Sequence, residues 1–205
     1  MKLHWSPRSP FVRKVTVLLH ETGLHEQVEY VRSVVAIATP NHALMQDNPL
    51  GQIPTLVLSG GEVLFDSPVI CEYLDSLHGG QPLFPPAGPA RWRALRRQAL
   101  GDGMLATLLL WRQERMKTAA QQIRAWLLAF ELKITTALDD LEASASGLAD
   151  GFDIGHITLG CMLSYLDYRF ADLDWRAKRP ALAAWHRGFC ARPSALATVI
   201  DDAQP

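Results

Sequence analysis

Cysteine is scarce in this chain: there are three in 205 residues, Cys71, Cys161 and Cys190, all far apart in sequence. No C-x-x-C pair occurs, so neither a zinc ribbon nor a dithiol redox centre is spelled out. Without a disulfide framework, the three thiols read as small buried hydrophobes in a reducing cytoplasm. Long apolar runs are also missing, and none approaches the roughly 20 residues that a bilayer span requires. At the N-terminus His4, Trp5, Pro7 and Pro10 interrupt the stretch where a secretory signal needs an unbroken apolar core. Charge of one sign is not in excess, since 20 Lys and Arg face 21 Asp and Glu for a net charge of −1. That balance argues against nucleic acid or an anionic membrane as partner. His156 has no second ligand at helical spacing, so a metal centre is not expected.

What is present is ordinary for a soluble globular protein: 48% hydrophobic and 20% charged residues, with length for one or two domains and a substantial core. Met1–Trp5 reads as a short buried strand that stops at Ser6-Pro7. Ser9-Pro10 then opens a helix with Ser9 at the N-cap, apolar Phe11, Val15, Leu18 and Leu19 on one face, and Gly23 as its stop. Residues 28–35 alternate around Tyr30 and Arg32 as a half-buried strand does. Thr39-Pro40 opens a short helical turn that Asn48-Pro49 closes. Two short strands follow, 55–58 and 62–65, joined by Ser59-Gly60-Gly61, and a helix begins at Asp66-Ser67-Pro68. The order β-α-β-α-β-β-α is the thioredoxin-like arrangement, with a right-handed parallel crossover and a closing hairpin.

Gly79 to Gly88 is a boundary rich in glycine and proline, with Leu83-Phe84 as the one apolar pair that would pin it to the body. Beyond it the pattern is helical throughout: 89–117, 119–142, 153–170, 180–190 and 193–200. The third of these is apolar on several sides and is expected at the centre of an all-α bundle. The expected organisation is therefore an α/β thioredoxin-like domain over 1–79, a linker over 80–88 and an all-helical domain over 89–205.

One stretch organises the first domain. In Asn48-Pro49-Leu50-Gly51-Gln52-Ile53-Pro54-Thr55, a proline at the mouth of a strand cannot donate to the ladder. With a cis linkage before Pro54, the Ile53 N–H and C=O become an exposed pair able to hold an extended peptide as an added strand would. At Asp66-Ser67-Pro68, a carboxylate beside the free N–H groups of a helix start suits the amino and carboxylate groups of a small peptide. These two stretches, with Phe65 to Ile70 and the N-terminal Ser6-Pro7-Arg8-Ser9-Pro10-Phe11-Val12-Arg13-Lys14, closely resemble the cytosolic-type (bacterial) glutathione S-transferase family. The motifs lie in the first third, and the order of elements fits nearly the whole chain. In that family the central helix starts with a Ser/Thr-x-x-Asp capping box. Here the corresponding stretch is Asp153-Ile154-Gly155-His156, in which His156 returns the second bond only if neutral and correctly oriented.

The resemblance implies an enzyme that adds the glutathione thiolate to a hydrophobic electrophile. A cysteine-like thiol with a pKa near ~8.5 is mostly protonated at neutral pH, so the enzyme must favour the anion. A hydroxyl donor is worth roughly 1.5–3 kcal/mol to a charged acceptor, and a helix N-terminus adds roughly 0.3–1 kcal/mol. At about 1.36 kcal/mol per pH unit, the two lower the thiol pKa by about one to three. By itself Ser9 is equally a plain helix cap; the resemblance makes it the catalytic residue, with Ser6 as the alternative. A serine in place of a cysteine argues against thiol-transfer chemistry, which needs a protein thiolate. Asp66 and Ser67 would hold the γ-glutamyl end, and Ile53 with Pro54 would hold the cysteinyl part. Gln52 is either a ligand of the glycyl carboxylate or a solvated turn residue, and Arg32, Asn41 and His42 are further candidates for that carboxylate. The second substrate would lie between the domains near Trp5, Met104, Leu108 and Trp111, residues that read equally as core. Arg91, Arg93, Arg96 and Arg97 are a solvated face or, by resemblance, part of a homodimer interface. Other functions open to the same sequence are a non-catalytic glutathione- or ligand-binding protein, and a glutathione-dependent isomerase or dehalogenase. The resemblance also implies a cytoplasmic, detoxifying role.

Overall fold

The computed structural model describes residues 1–200; residues 201–205, which the sequence places at the end of the helical domain, lie outside the described residues. Two compact units form the fold: Met1–Pro86 together with residues 192–200, and Ala87–Ala191.

In the first unit, β1 (Lys2–Trp5), β2 (Glu29–Arg32), β3 (Thr55–Val57) and β4 (Val63–Leu64) make one sheet in the order β2-β1-β3-β4. β1 runs parallel to β2 and antiparallel to β3, and β3 and β4 form a hairpin. Helix α1 (Pro10–Thr22) makes the crossover from β1 to β2, and α2 (Ser67–Asp75) follows the hairpin. α1 starts where Ser9 caps it and ends where Gly23, at φ 72°, turns the chain left-handed and returns its N–H to the last turn. Leu3, Val15, Leu18, Leu56, Ile70 and Leu74 are wholly buried and form the core of this unit. The expected β-α-β-α-β-β-α order is present, with one element reduced. Between β2 and β3 only Leu44–Gln46 is helical, and as a 3₁₀ turn. One buried apolar side chain, Leu44, lies between the prolines at 40 and 49, which is too little apolar surface to fix a longer helix. Leu83 and Phe84 do anchor the boundary segment: both are buried, and their N–H groups donate to the two oxygens of Asp75 at 2.8 Å each.

Residues 192–200 return to this unit. α7 (Pro193–Leu196) is shorter than the 193–200 helix expected and packs on α1. Glu21 of α1 accepts from Arg192 at 2.8 and 2.7 Å and from the Ser194 hydroxyl. Burial alone pushes the Glu21 carboxyl up, but the hydrogen bonds and charge of Arg192, with Ser194, hold it below the usual range. A carboxyl lowered on folding stabilises the fold above its unfolded pKa, and that contribution disappears as pH falls through the lowered folded value. Glu21→Gln is therefore expected to cost about 1 kcal/mol at pH 7, discounted for the part-exposed arginine. The melting temperature should fall by about 2–4 °C. Thermal melts of both proteins at pH 7 and below pH 4 should show the gap closing in acid; a gap of constant size would remove the assignment.

The second unit is helical: α3 (Gly88–Arg115), α4 (Arg124–Ala143), α5 (Ile154–Arg169) and α6 (Pro180–Cys190). α5 is buried without a break from Ile154 to Leu163, the central position its all-round apolarity implies. Its start has the contacts of a capping box: the His156 N–H donates to the Asp153 carboxylate at 3.1 Å, and the Asp153 backbone nitrogen stands 3.1 Å from His156 Nδ1. His156 Nδ1 also stands 2.8 Å from Asp153 Oδ1, while Arg97, which can only donate, lies 3.4 Å from Nε2. Nδ1 therefore carries the hydrogen and gives it to the carboxylate, so the second bond is not the lone-pair bond the sequence position called for. α4 starts at Arg124 rather than 119, because Thr118–Gln122 forms a turn and Glu114 receives the Ile123 N–H at 2.6 Å.

Candidate functional site

The pairing registers gather the sequence-predicted residues at one end of the sheet. His4 stands opposite Thr55 in the β1–β3 ladder, so one further step sets Pro54 beside Trp5, from which the chain runs through Ser6 to Ser9. Leu56 stands opposite Leu64 in the β3–β4 hairpin, so two further steps set Pro54 beside Asp66. Ser9, Ile53-Pro54 and Asp66-Ser67 therefore leave the same edge of one sheet, although they lie far apart in sequence.

At each of these places polar groups are left over. Ser9 Oγ accepts the Val12 N–H at 3.3 Å, so a lone pair caps the helix while the hydroxyl hydrogen has no acceptor among the described residues. Ser6 is nearly buried, and its Oγ accepts the Arg8 N–H at 3.4 Å, which leaves it less available than Ser9. The Ile53–Pro54 bond is cis, as is Phe65–Asp66. Neither the Ile53 N–H nor its C=O pairs with another described residue. At α2, Asp66 is the N-cap residue, yet its side chain makes no capping bond and points its charge into solvent. The first-turn N–H groups and the buried Ser67 hydroxyl are thereby open to an outside acceptor.

The loop that presents Ile53 is held by Asn48, a residue that sequence reading treated only as a turn marker. Asn48 is 1% exposed. Its side-chain N–H groups donate to the Gln52 carbonyl at 3.2 Å and to Thr55 Oγ1 at 2.9 Å, and its oxygen accepts the Leu50 N–H at 3.0 Å. Gly51, at φ 58°, makes the left-handed turn that this closure needs. Next to it, the Asp47 carboxylate takes Lys2 Nζ at 2.8 Å and His4 Nε2 at 2.7 Å; those two partners hold it below the usual carboxylate range and tie the loop to β1. The signal in sequence was the spacing of Asn48 and Thr55 around Gly51, which periodicity does not score.

The remaining candidates separate. Gln52 is exposed beside Ile53. Asn41 is used locally, donating to the Val34 carbonyl at 3.1 Å and accepting the Leu44 N–H at 3.1 Å. His42 is exposed and Arg32 half-buried at the end of β2. Met104, Leu108 and Trp111 are buried in α3. Among the described residues no group of three or more His, Cys, Asp or Glu side chains is arranged to hold a metal ion, and no helix is long and apolar enough to cross a membrane.

Comparison with known proteins bears on both units. Residues 8–77 match the model of the glutathione S-transferase N-terminal domain, and residues 121–188 match that of the glutathione S-transferase C-terminal domain. The GST-like protein YibF of Escherichia coli, itself uncharacterized, is 34% identical over 185 residues, covering 89% of this chain and 90% of that protein. A glutathione transferase family member from Pseudomonas fluorescens Pf-5, crystallised with bound glutathione, is 46% identical with a TM-score of 0.95 over 98% of each chain. A structure from the same organism with bound S-(propanoic acid)-glutathione is 44% identical, with a TM-score of 0.91 over 98% of this chain and 100% of the other.

Proposed function

This chain belongs to the glutathione S-transferase family, and from that premise we propose that it binds glutathione and transfers its thiolate to an electrophilic carbon. The observation that carries the reading is the set of unpartnered polar groups at one end of the sheet: the Ser9 hydroxyl hydrogen, the Ile53 backbone pair and the uncapped start of α2. An acidic tripeptide with one ammonium, two carboxylates and a central amide supplies a partner for each.

In this reading Asp66 attracts the γ-glutamyl ammonium, while the Ser67 hydroxyl and the α2 amides take the adjacent carboxylate. Ile53, presented by cis-Pro54, pairs its N–H and C=O with the cysteinyl residue as a neighbouring strand would. Gln52, exposed at the turn, reaches towards the glycyl carboxylate. The sulfur then meets the Ser9 hydroxyl, whose hydrogen is left to donate while its oxygen accepts the Val12 N–H. The thiolate attacks the electrophilic carbon, a sulfur–carbon bond forms, and the leaving group departs or the electrophile's anion takes a proton from water. The relative crystallised with S-(propanoic acid)-glutathione carries an alkyl acid on the glutathione sulfur, the product class of such a step. All the glutathione-holding residues fall within the proposed 1–79 domain. An apolar electrophile, homodimeric assembly and cytoplasmic location complete the proposal on the strength of the family.

The test is calorimetric titration with glutathione, followed by assay against aryl halides and epoxides. Wild-type protein should bind the tripeptide and conjugate at least one of the electrophiles. Ser67→Ala should weaken binding by about tenfold or more, the loss of one hydrogen bond to a charged group. Tight binding without turnover on any electrophile would leave a ligand-binding protein instead.

A further inference from the structure

The first unit holds a cleft of about 350 Å³ that the proposed transferase chemistry does not use. Arg13 and His20 of α1 line it, with Trp5 of β1 and Tyr30 of β2. His25, from the 3₁₀ turn that follows α1, and residues 197–199 add to the lining. None of Ser9, Ile53, Pro54, Asp66 or Ser67 is among the lining residues. The volume lies at the small end of ligand sites, which run roughly 300–1,000 Å³.

What singles the cleft out is Arg13. Its side chain is 6% exposed, yet it makes no ion pair with a described residue. Its NH2 donates to the Ala195 carbonyl at 3.3 Å, and its Nε–H has no acceptor among the described residues. A charge taken out of water is costly unless an anion accompanies it, and arginine cannot escape by losing its proton. No aspartate or glutamate among the described residues lines the cleft, so the walls themselves supply no counter-ion.

The rest of the lining narrows the choice of anion. Trp5 and Tyr30 meet edge to face, with ring centroids 5.7 Å apart. Burial pushes the Tyr30 phenol up, so it stays neutral near pH 7. His20 and His25 stack with centroids 4.3 Å apart; burial first, then the neighbouring His25, holds His20 below the usual imidazole range. His25 Nδ1 is buried without a partner among the described residues, a second polar atom left over beside the cleft. One permanent cation among aromatic rings suits a monoanion with an aromatic body. A phosphate dianion is more often met by several arginines together. A carboxylate can take two parallel bonds from one guanidinium, and an aromatic body packs well against Trp and Tyr.

We propose that this cleft binds an aromatic monocarboxylate, with Arg13 as its counter-ion and Trp5 and Tyr30 against its ring. The site needs no glutathione at the sheet end and stands or falls without it.

The probe is 2-naphthoate, titrated calorimetrically into the whole chain at pH 7, in buffer alone and again with excess glutathione. A dissociation constant of about 100 μM or tighter is expected, the same within about twofold in both. The neutral analogue 2-naphthamide should bind at least about tenfold more weakly. Arg13→Met should weaken naphthoate by about tenfold or more and bring acid and amide to similar affinity, which loss of a merely structural arginine would not do. Should that variant fail to fold, Tyr30→Ala, on the edge strand and 37% exposed, should weaken naphthoate by about fivefold. Asp201→Asn combined with Asp202→Asn should leave the affinity within about twofold of wild type. Absence of binding, competition by glutathione, equal affinity for acid and amide, or unchanged affinity in either folded variant would each overturn the proposal. So would a tenfold gain in the aspartate variant, which would make the chain's own carboxylates the occupant.

Discussion

Replacing Ser9 by alanine is expected to lower kcat/KM for glutathione conjugation by about 10- to 100-fold, the loss of one hydrogen bond to an anion in the reacting complex. The glutathione dissociation constant should change far less, since Ile53, Asp66 and Ser67 make the contacts that hold the peptide. The acid limb of the pH profile should move up by about one unit, because a thiol without its donor ionises at higher pH. Thiolate absorbance of the bound peptide at neutral pH should fall in parallel. The same substitution also removes the cap on Val12, so α1 should lose about 1 kcal/mol, seen as a melting temperature lower by about 2–4 °C. Ser9→Thr separates the two effects, since it keeps both the lone pair and the hydrogen. A conjugation rate within about twofold of wild type in Ser9→Ala would make the residue a cap and nothing more. Ser6→Ala would then be the next variant, although the burial of Ser6 and its bond to the Arg8 amide argue against it.

What the sequence made legible was whatever local chemistry dictates. Ser9-Pro10 and Gly23 delimit α1 because an N-cap, a fixed φ and a left-handed stop act within one turn. The proline at 54 marks the unpaired edge because the missing donor belongs to that residue alone. The all-round apolarity of 154–163 placed α5 at the centre of its unit. What escaped depends on partners distant in sequence. The Glu21–Arg192–Ser194 contact spans 171 and 173 positions, and neither end announces the other. Read without its partners, the sequence does not reveal that the last described segment returns to the first unit. The Asn48 network was hidden for a related reason: a buried amide serving a carbonyl, a hydroxyl and an N–H leaves no period in the sequence. The candidate site falls between these cases. Its residues are readable as caps and turns, but their convergence follows only from the strand registers, which the alternation of two- to four-residue strands cannot fix.

Gly155→Ala is expected to destabilise the second unit by about 2 kcal/mol or more, although alanine is the better helix former by about 1 kcal/mol. A Cβ at position 155 would stand 2.5 Å from Arg97 Cβ, 2.8 Å from the Ala94 carbonyl oxygen and 3.0 Å from Asp153 Oδ1. Arg97 Cβ is bonded directly to the α3 backbone and the Ala94 carbonyl is part of it, so neither yields unless the whole helix moves. The third contact is the carboxylate that caps α5 itself, so the clash also disturbs the Asp153–His156 cap. A matching close approach occurs further along the same pair of helices, where a Cβ on Gly101 would meet Thr158 Cγ2 at 2.7 Å. Two glycines, one on each helix, therefore set how near α3 and α5 lie. Gly103 provides the control: it is helical and exposed, also on α3, with nothing within 4 Å of the added atom. There the propensity term stands alone, and Gly103→Ala should raise stability by about 1 kcal/mol. Thermal melts should thus move in opposite directions, down by at least about 4 °C for Gly155→Ala and up by about 2–4 °C for Gly103→Ala. If Gly155→Ala melted at or above the wild-type temperature, the close α3–α5 packing would not be what requires a glycine there.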